Sequence, residues 1–115
     1  METPEIREIG VDELADVLER SVAEGRAVRL VDVREPDEFA EGHVPGAVSV
    51  PLATVPDHLA EFDGDGTTYV ICQAGGRSLR ACEYVAANGA ADVVNVAGGT
   101  GAWVRSGRPT AGGSR

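Results

Sequence analysis

Five short apolar runs rich in β-branched residues, at residues 5–9, 28–33, 47–50, 68–71 and 92–96, are each followed by a stretch carrying helix signals. Strands that each return through a helical crossover lie parallel, and a parallel sheet needs cover on both faces. The alternation therefore predicts an α/β fold: a five-stranded, mainly parallel sheet with helices on both sides. The helix signals are specific. Gly10 to Glu13 has capping-box spacing, Leu14, Val17, Leu18 and Val22 form one apolar stripe, and Gly25 fits a C-cap. Pro36 opens a short helix and Pro45-Gly46 marks a turn. Thr54 is expected to cap a helix with Pro56 in its first turn and Leu59 and Phe62 facing inward. A helix over residues 76–88 should stop at Gly89, and Gly98-Gly99 should open a last short helix holding Trp103.

A chain of 115 residues fits one domain, predicted over residues 1–107, with the Pro-, Gly- and Ser-rich stretch 108–115 as a flexible tail. Apolar residues make up 43% but aromatics only 4%, so the core must rest on Val, Leu, Ile and Ala. No apolar run approaches the ~20 residues of a membrane span. No basic segment followed by an apolar one stands at the N-terminus, so the expected location is the cytoplasm. Two cysteines in a domain with this much core need no disulfide, and no Cys/His cluster suggests a metal. The net charge of −9 disfavours nucleic acid and anionic membranes as partners. That charge is uneven: residues 1–65 carry −12 and residues 66–115 carry +3, which suits an anionic substrate on the second half. A monomer is expected.

The run Tyr69-Val70-Ile71-Cys72-Gln73-Ala74-Gly75-Gly76-Arg77-Ser78 lies in that basic half. A strand stops at a cysteine, a glycine-rich loop follows, and a helix begins. Backbone N–H groups at such a junction favour negative charge, and the thiolate is the nucleophilic form of cysteine. The alternative is a buried cysteine ending a core strand before an ordinary turn. In a parallel sheet ligands gather at the carboxyl ends of strands. Cys72, Asp32 with Arg34, and the Gly98-Gly99 turn all fall at such ends.

Four segments in register carry a resemblance to a known family. They are Val31-Asp32-Val33-Arg34; Glu38-Phe39 with Gly42-His43-Val44-Pro45-Gly46-Ala47; Cys72-x-x-Gly75-x-Arg77-Ser78; and Gly98-Gly99-x-x-Ala102-Trp103. Together they resemble the rhodanese family from near residue 5 to near residue 107. The resemblance implies a sulfurtransferase of the thiosulfate type. Its loop cysteine, Cys72 here, would take a sulfane sulfur from a small anionic donor such as thiosulfate and pass it, as a persulfide, to cyanide or a thiol. No metal or organic cofactor is required.

In that scheme the amides of Gln73, Ala74, Gly75, Gly76, Arg77 and Ser78 form the binding loop, with Gly75 and Gly76 relieving Cβ clashes as the backbone curls. Gln73 and Ala74 stand at the rim, where side chains choose the donor. Arg77 either contacts the donor or pairs with a nearby acid and braces the loop. Arg34 pairs with Asp32 or Glu38 behind the site. His43 reads as a hydrogen-bonded turn residue, because thiolate attack needs no separate base. His58 reads as exposed. Cys82 falls on the stripe Leu79, Cys82, Ala86 and reads as core, and Trp103 reads as core that could wall the site from beneath. Two rivals remain. A phosphatase or arsenate reductase would use a related loop, but such loops carry arginine six positions after the cysteine and this one carries it five after. A sulfur-relay module would keep the same loop chemistry and be loaded by a partner protein.

Overall fold

The structure is a computed structural model that describes residues 5–64, 66–90 and 92–113. Five strands form one sheet in the order β1-β5-β4-β2-β3: β1 (Arg7–Ile9), β2 (Arg29–Asp32), β3 (Val48–Ser49), β4 (Thr68–Ile71) and β5 (Val93–Val96). All four pairings are parallel. Cys72 follows β4, whose neighbours are β5 and β2, so the cysteine leaves the middle of the sheet. Four helices cover the faces: α1 (Val11–Glu24), α2 (Pro36–Glu41), α3 (Gly76–Ala87) and α4 (Gly99–Arg105). None of them is long and apolar enough to cross a membrane.

Side chains on a strand alternate between faces, and the core divides accordingly. Val31, Val33, Val70, Cys72 and Val93 pack on one side with Ala81, Cys82 and Val85 of α3 and with Val55 and Phe62. Leu30, Ile71, Val94 and Val96 pack on the other with Leu14 of α1, Phe39 of α2 and Trp103 of α4. The alternation Val70, Ile71, Cys72 thus delivers the thiol to the face that carries α3.

Four local expectations are corrected. The stripe of α1 does not run through Val22, which is 82% exposed; Ser21 turns inward instead, its hydroxyl donating to the Leu18 carbonyl at 2.7 Å. The capping box forms not at α1 but at α2, where Glu35 and Glu38 exchange side-chain and backbone bonds. Residues after β3 make two 3-10 helices, Leu52–Asp57 and Leu59–Phe62, rather than one α-helix. Pro56 has no N–H to give an α-helical ladder, and Thr54 sits inside the first turn, bonding its hydroxyl back to the Pro51 carbonyl at 2.8 Å. The stretch from Arg108, expected to fray, is tied down as far as Gly113. Trp103 Nε1 donates to the Pro109 carbonyl at 2.8 Å, Ala111 and His43 exchange backbone bonds of 2.8 and 2.9 Å, and Gly113 N–H reaches the Ala40 carbonyl at 2.8 Å. A buried indole N–H and a buried turn backbone both need partners, and this segment supplies them. Residues 114 and 115 lie outside the described residues.

Leu14 is fully buried. Leu14→Ala should lower unfolding free energy by about 2–5 kcal/mol, and Val22→Ala should change it by less than about 0.5 kcal/mol. Urea denaturation of the two variants checks both.

Candidate active site

Cys72 is 1% exposed, while Gln73, Ala74 and Gly76 just after it are exposed, so the thiol is buried beneath an exposed loop. The chain turns back at Gly75, whose φ of +109° is left-handed and whose missing Cβ would stand 3.4 Å from Gly98 N. Gly76 has no positive φ and open space where a Cβ would be, so of the two loop glycines only Gly75 is required by the backbone. The turn aims donors at the sulfur. Gly75 N–H lies 3.1 Å from Cys72 Sγ and the Ser78 hydroxyl donates to it at 3.2 Å.

What turns the amides inward is that the loop's carbonyls are held from outside. Thr100 donates to the Cys72 carbonyl twice, from its N–H at 2.8 Å and from its hydroxyl at 3.1 Å, and Gly101 N–H donates to the Gln73 carbonyl at 3.0 Å. This close approach requires Gly99, with φ +60°: a Cβ there would collide with the Cys72 carbonyl and stand 2.6 Å from the Gln73 oxygen. Asn95, fully buried on β5, donates its side-chain amide to the Gly75 carbonyl at 3.1 Å and to Glu8 at 2.6 Å. Sequence reasoning placed Gly98-Gly99 near the site but missed Asn95. Its signal was a single polar residue at a core position of the apolar run Val93–Val96.

Two ion pairs fix the surroundings. Asp32 and Arg34, both buried, bond through Nε and Nη2, the latter at 2.9 Å, and Arg34 also reaches the Gly42 carbonyl at 2.9 Å and Gln73 Oε1 at 3.3 Å. Arg77 makes a two-pronged pair with Glu38, 2.8 and 3.0 Å, which joins the loop to α2. Of the two readings of Arg77, pairing with a nearby acid is the arrangement found.

These contacts set the electrostatics. Burial pushes the Cys72 thiol up, but the Ser78 hydroxyl and the N–H groups of Ser78, Gly75 and Ala74 outweigh it, and the net shift is down. Cys82 has burial without such donors, with Glu8, Glu83 and Cys72 adding repulsion, and is pushed up to about 12. The two buried thiols are therefore shifted in opposite directions, Cys72 down and Cys82 up. His43 sits on the opposite side of the fold's logic: its Nδ1–H donates to the Phe39 carbonyl at 2.7 Å and its ring stacks on Phe39 at 3.7 Å, a turn anchor. His58 is exposed. Trp103 packs in the core cluster shared with α1 rather than in the one holding Cys72, so it does not wall the thiol. A cleft of about 500 Å³ opens beside Gln73, between α2 and α4.

The profile of the rhodanese-like domain family matches residues 13–106. A sulfurtransferase of Allochromatium vinosum is 36% identical over 95 residues, covering 83% of this chain and 89% of its own length. Thiosulfate sulfurtransferase GlpE of Pseudomonas putida is 38% identical over 86 residues, 75% of this chain and 76% of that protein. A rhodanese-like domain protein from Staphylococcus aureus, solved by crystallography, superposes with a TM-score of 0.73 at 40% identity, covering 85% of this chain and 91% of that one.

The Glu38 carboxyl is held down to about 2, first by the hydrogen-bonded Arg77. A lowered folded-state value means its contribution to stability is present above the ordinary carboxyl value of 4.5 and is lost as pH falls toward 2. The pair is about one-third exposed, so solvent and salt reduce its strength. The stability gap between wild type and Glu38→Gln, measured by denaturant titration, should therefore narrow from pH 6 to pH 3 and narrow further in high salt.

Proposed function

This chain belongs to the rhodanese family and its chemistry is sulfur transfer; we propose that the transfer runs through a persulfide on Cys72, with thiosulfate or a similar small anion as donor. The observation that carries this reading is the pair of donors on one sulfur: Gly75 N–H at 3.1 Å and the Ser78 hydroxyl at 3.2 Å. The Cys72 thiolate attacks the outer sulfur of thiosulfate. A new S–S bond forms, the S–S bond of thiosulfate breaks, and sulfite leaves with the bonding pair. The outer sulfur then stands about 2 Å beyond Sγ, toward the exposed rim formed by Gln73 and Ala74. A thiolate or cyanide attacks it there and Cys72 returns as the thiolate, stabilised by the same N–H groups. No proton needs to move at either step, which leaves His43 free to serve the turn, and no metal or organic cofactor takes part.

The geometry also weighs against phosphoryl or arsenate chemistry. The arginine of the loop faces Glu38 with both of its terminal nitrogens, and the loop is one residue short for a tetrahedral oxyanion. Loading by a partner protein, as in a sulfur relay, would use the same thiolate and the same cradle, and would change only what approaches the rim.

Incubation with thiosulfate should add one sulfur atom to the intact mass, removable by a reductant. Cys72→Ser should abolish both this adduct and transfer to cyanide, with an unchanged circular dichroism spectrum. Cys82→Ser should keep both. Sulfur loading in the Cys72 variant, or its loss in the Cys82 variant alone, would contradict the assignment.

A further inference from the structure

A cleft of about 490 Å³ opens on the face of the sheet away from α3. α1 lines it with Leu18 and Val22, β2 with Leu30 and α4 with Trp103, and Pro45 and Pro109 add to the apolar lining. Leu30 and Trp103 belong to the core cluster that does not hold Cys72. The volume is that of a small-molecule site. Of the exposed large apolar residues Val22, Val48, Tyr84 and Val104, only Val22, 82% exposed, lines the cleft. A stable protein partner covers about 800 Å² on each side. So little exposed apolar surface around the cleft suits a ligand that enters it rather than a protein laid across it.

Two charged side chains line this cleft, Glu19 and Arg108. Arg108 is already engaged. Its Nη1 donates to Asp12 at 2.9 Å and to the Ser106 hydroxyl at 2.8 Å, and its guanidinium lies 5.5 Å from the centre of the Trp103 ring. Glu19 is exposed and, among the described residues, has no ion-pair partner. Its neighbour Arg20 turns back to the Asp16 carbonyl, and Arg26 pairs with Glu24. The last turn of α1, which brings Val22 to the cleft, carries no basic side chain against the negative end of the helix. The unanswered charge at the cleft is therefore negative. A ligand carboxylate would compete with Asp12 for Arg108 and be repelled by Glu19; an ammonium gains from Glu19 and disturbs no existing pair.

We propose that this cleft is a ligand site, separate from Cys72, for small amines with an apolar body. The apolar part fills the space lined by Leu18, Leu30 and Trp103, and the ammonium stands at Glu19. Burial of the apolar part supplies most of the affinity, because an exposed ion pair contributes little by itself. Glu19 supplies the choice of charge. No bond forms or breaks at this site, and it does not depend on the persulfide reading.

Trp103 is the only tryptophan of the chain and lines the cleft, so its fluorescence reports occupancy. Butylamine, hexylamine, hexanol and hexanoate are titrated into wild type and Glu19→Gln at constant pH and ionic strength, with calorimetry as a second readout. In wild type, hexylamine should bind about tenfold more tightly than butylamine, its two extra methylenes counting about threefold each. It should bind about two- to fivefold more tightly than hexanol, and hexanoate should bind most weakly. In Glu19→Gln, hexylamine should fall to the level of hexanol, with hexanol unchanged. No saturable change with hexylamine, equal affinity for the two amines, or a Glu19→Gln variant that still prefers hexylamine to hexanol would overturn the proposal. So would tightest binding of hexanoate, which would make Arg108 the recognition group. A free protein that sediments as a dimer and takes up hexylamine only on dissociation would make a second copy the occupant, and would overturn it too. Sulfur transfer by Cys72 enters none of these readouts, so their failure leaves the persulfide reading untouched.

Discussion

The hydrogen bonds from the start of α4 to the Cys72 and Gln73 carbonyls are the constraint on which the site depends. A peptide loop has as many carbonyls as N–H groups, and a cradle for an anion forms only if the carbonyls are turned away. Thr100, Gly101 and Asn95 do this by giving the Cys72, Gln73 and Gly75 oxygens partners on the outer side. An unpaired buried carbonyl costs about 1–3 kcal/mol, so each of these bonds opposes rotation of its peptide toward the sulfur. Gly75 and Gly99, both with left-handed φ, make the approach of the two loops sterically possible. The donors that touch the sulfur, Gly75 N–H and the Ser78 hydroxyl, thus sit in a loop held in place by residues that do not touch it.

The ion pairs work at a longer radius. Asp32 and Arg34 are almost wholly buried, and removing water from two such charges costs a large part of what their attraction returns. Their value lies in position. One guanidinium joins the end of β2, the Gly42 turn and the Gln73 side chain, so the start of the loop is referenced to the sheet. Arg77 does the same for the far side of the loop by gripping α2 through Glu38. A preorganised cradle needs this kind of support, because a donor displaced by a fraction of an ångström loses much of its hold on a thiolate.

Much of this was legible in the chain. The five β-branched runs gave the parallel sheet, and the strand–Cys–Gly–helix junction gave the turn that brings Gly75 N–H to the thiol, because both are local patterns. The pair of Arg34 with Asp32 was legible for the same reason, being two residues apart. Arg77 could be narrowed to two roles but not to Glu38, which lies 39 residues away. Asn95 stood out only as a polar residue in an apolar run, and its role could not be read because its partners, Gly75 and Glu8, come from 20 and 87 residues away. The anchoring of residues 109–113 was missed because Pro, Gly and Ser read as tail chemistry, while the demand for them came from the Trp103 indole and the His43 backbone. Val22 was misplaced because a serine that can satisfy its own hydroxyl on the Leu18 carbonyl competes for the inward position.

The central claim is that inward-facing N–H groups and the Ser78 hydroxyl, acting against burial, make Cys72 an easily ionised thiol. A pH titration of thiolate ultraviolet absorbance in the Cys82→Ser variant tests it most directly, since only one thiol then remains. The account predicts a midpoint below the ordinary thiol value of 9.0. A midpoint at or above that value would mean that burial prevails over the cradle, and would contradict it.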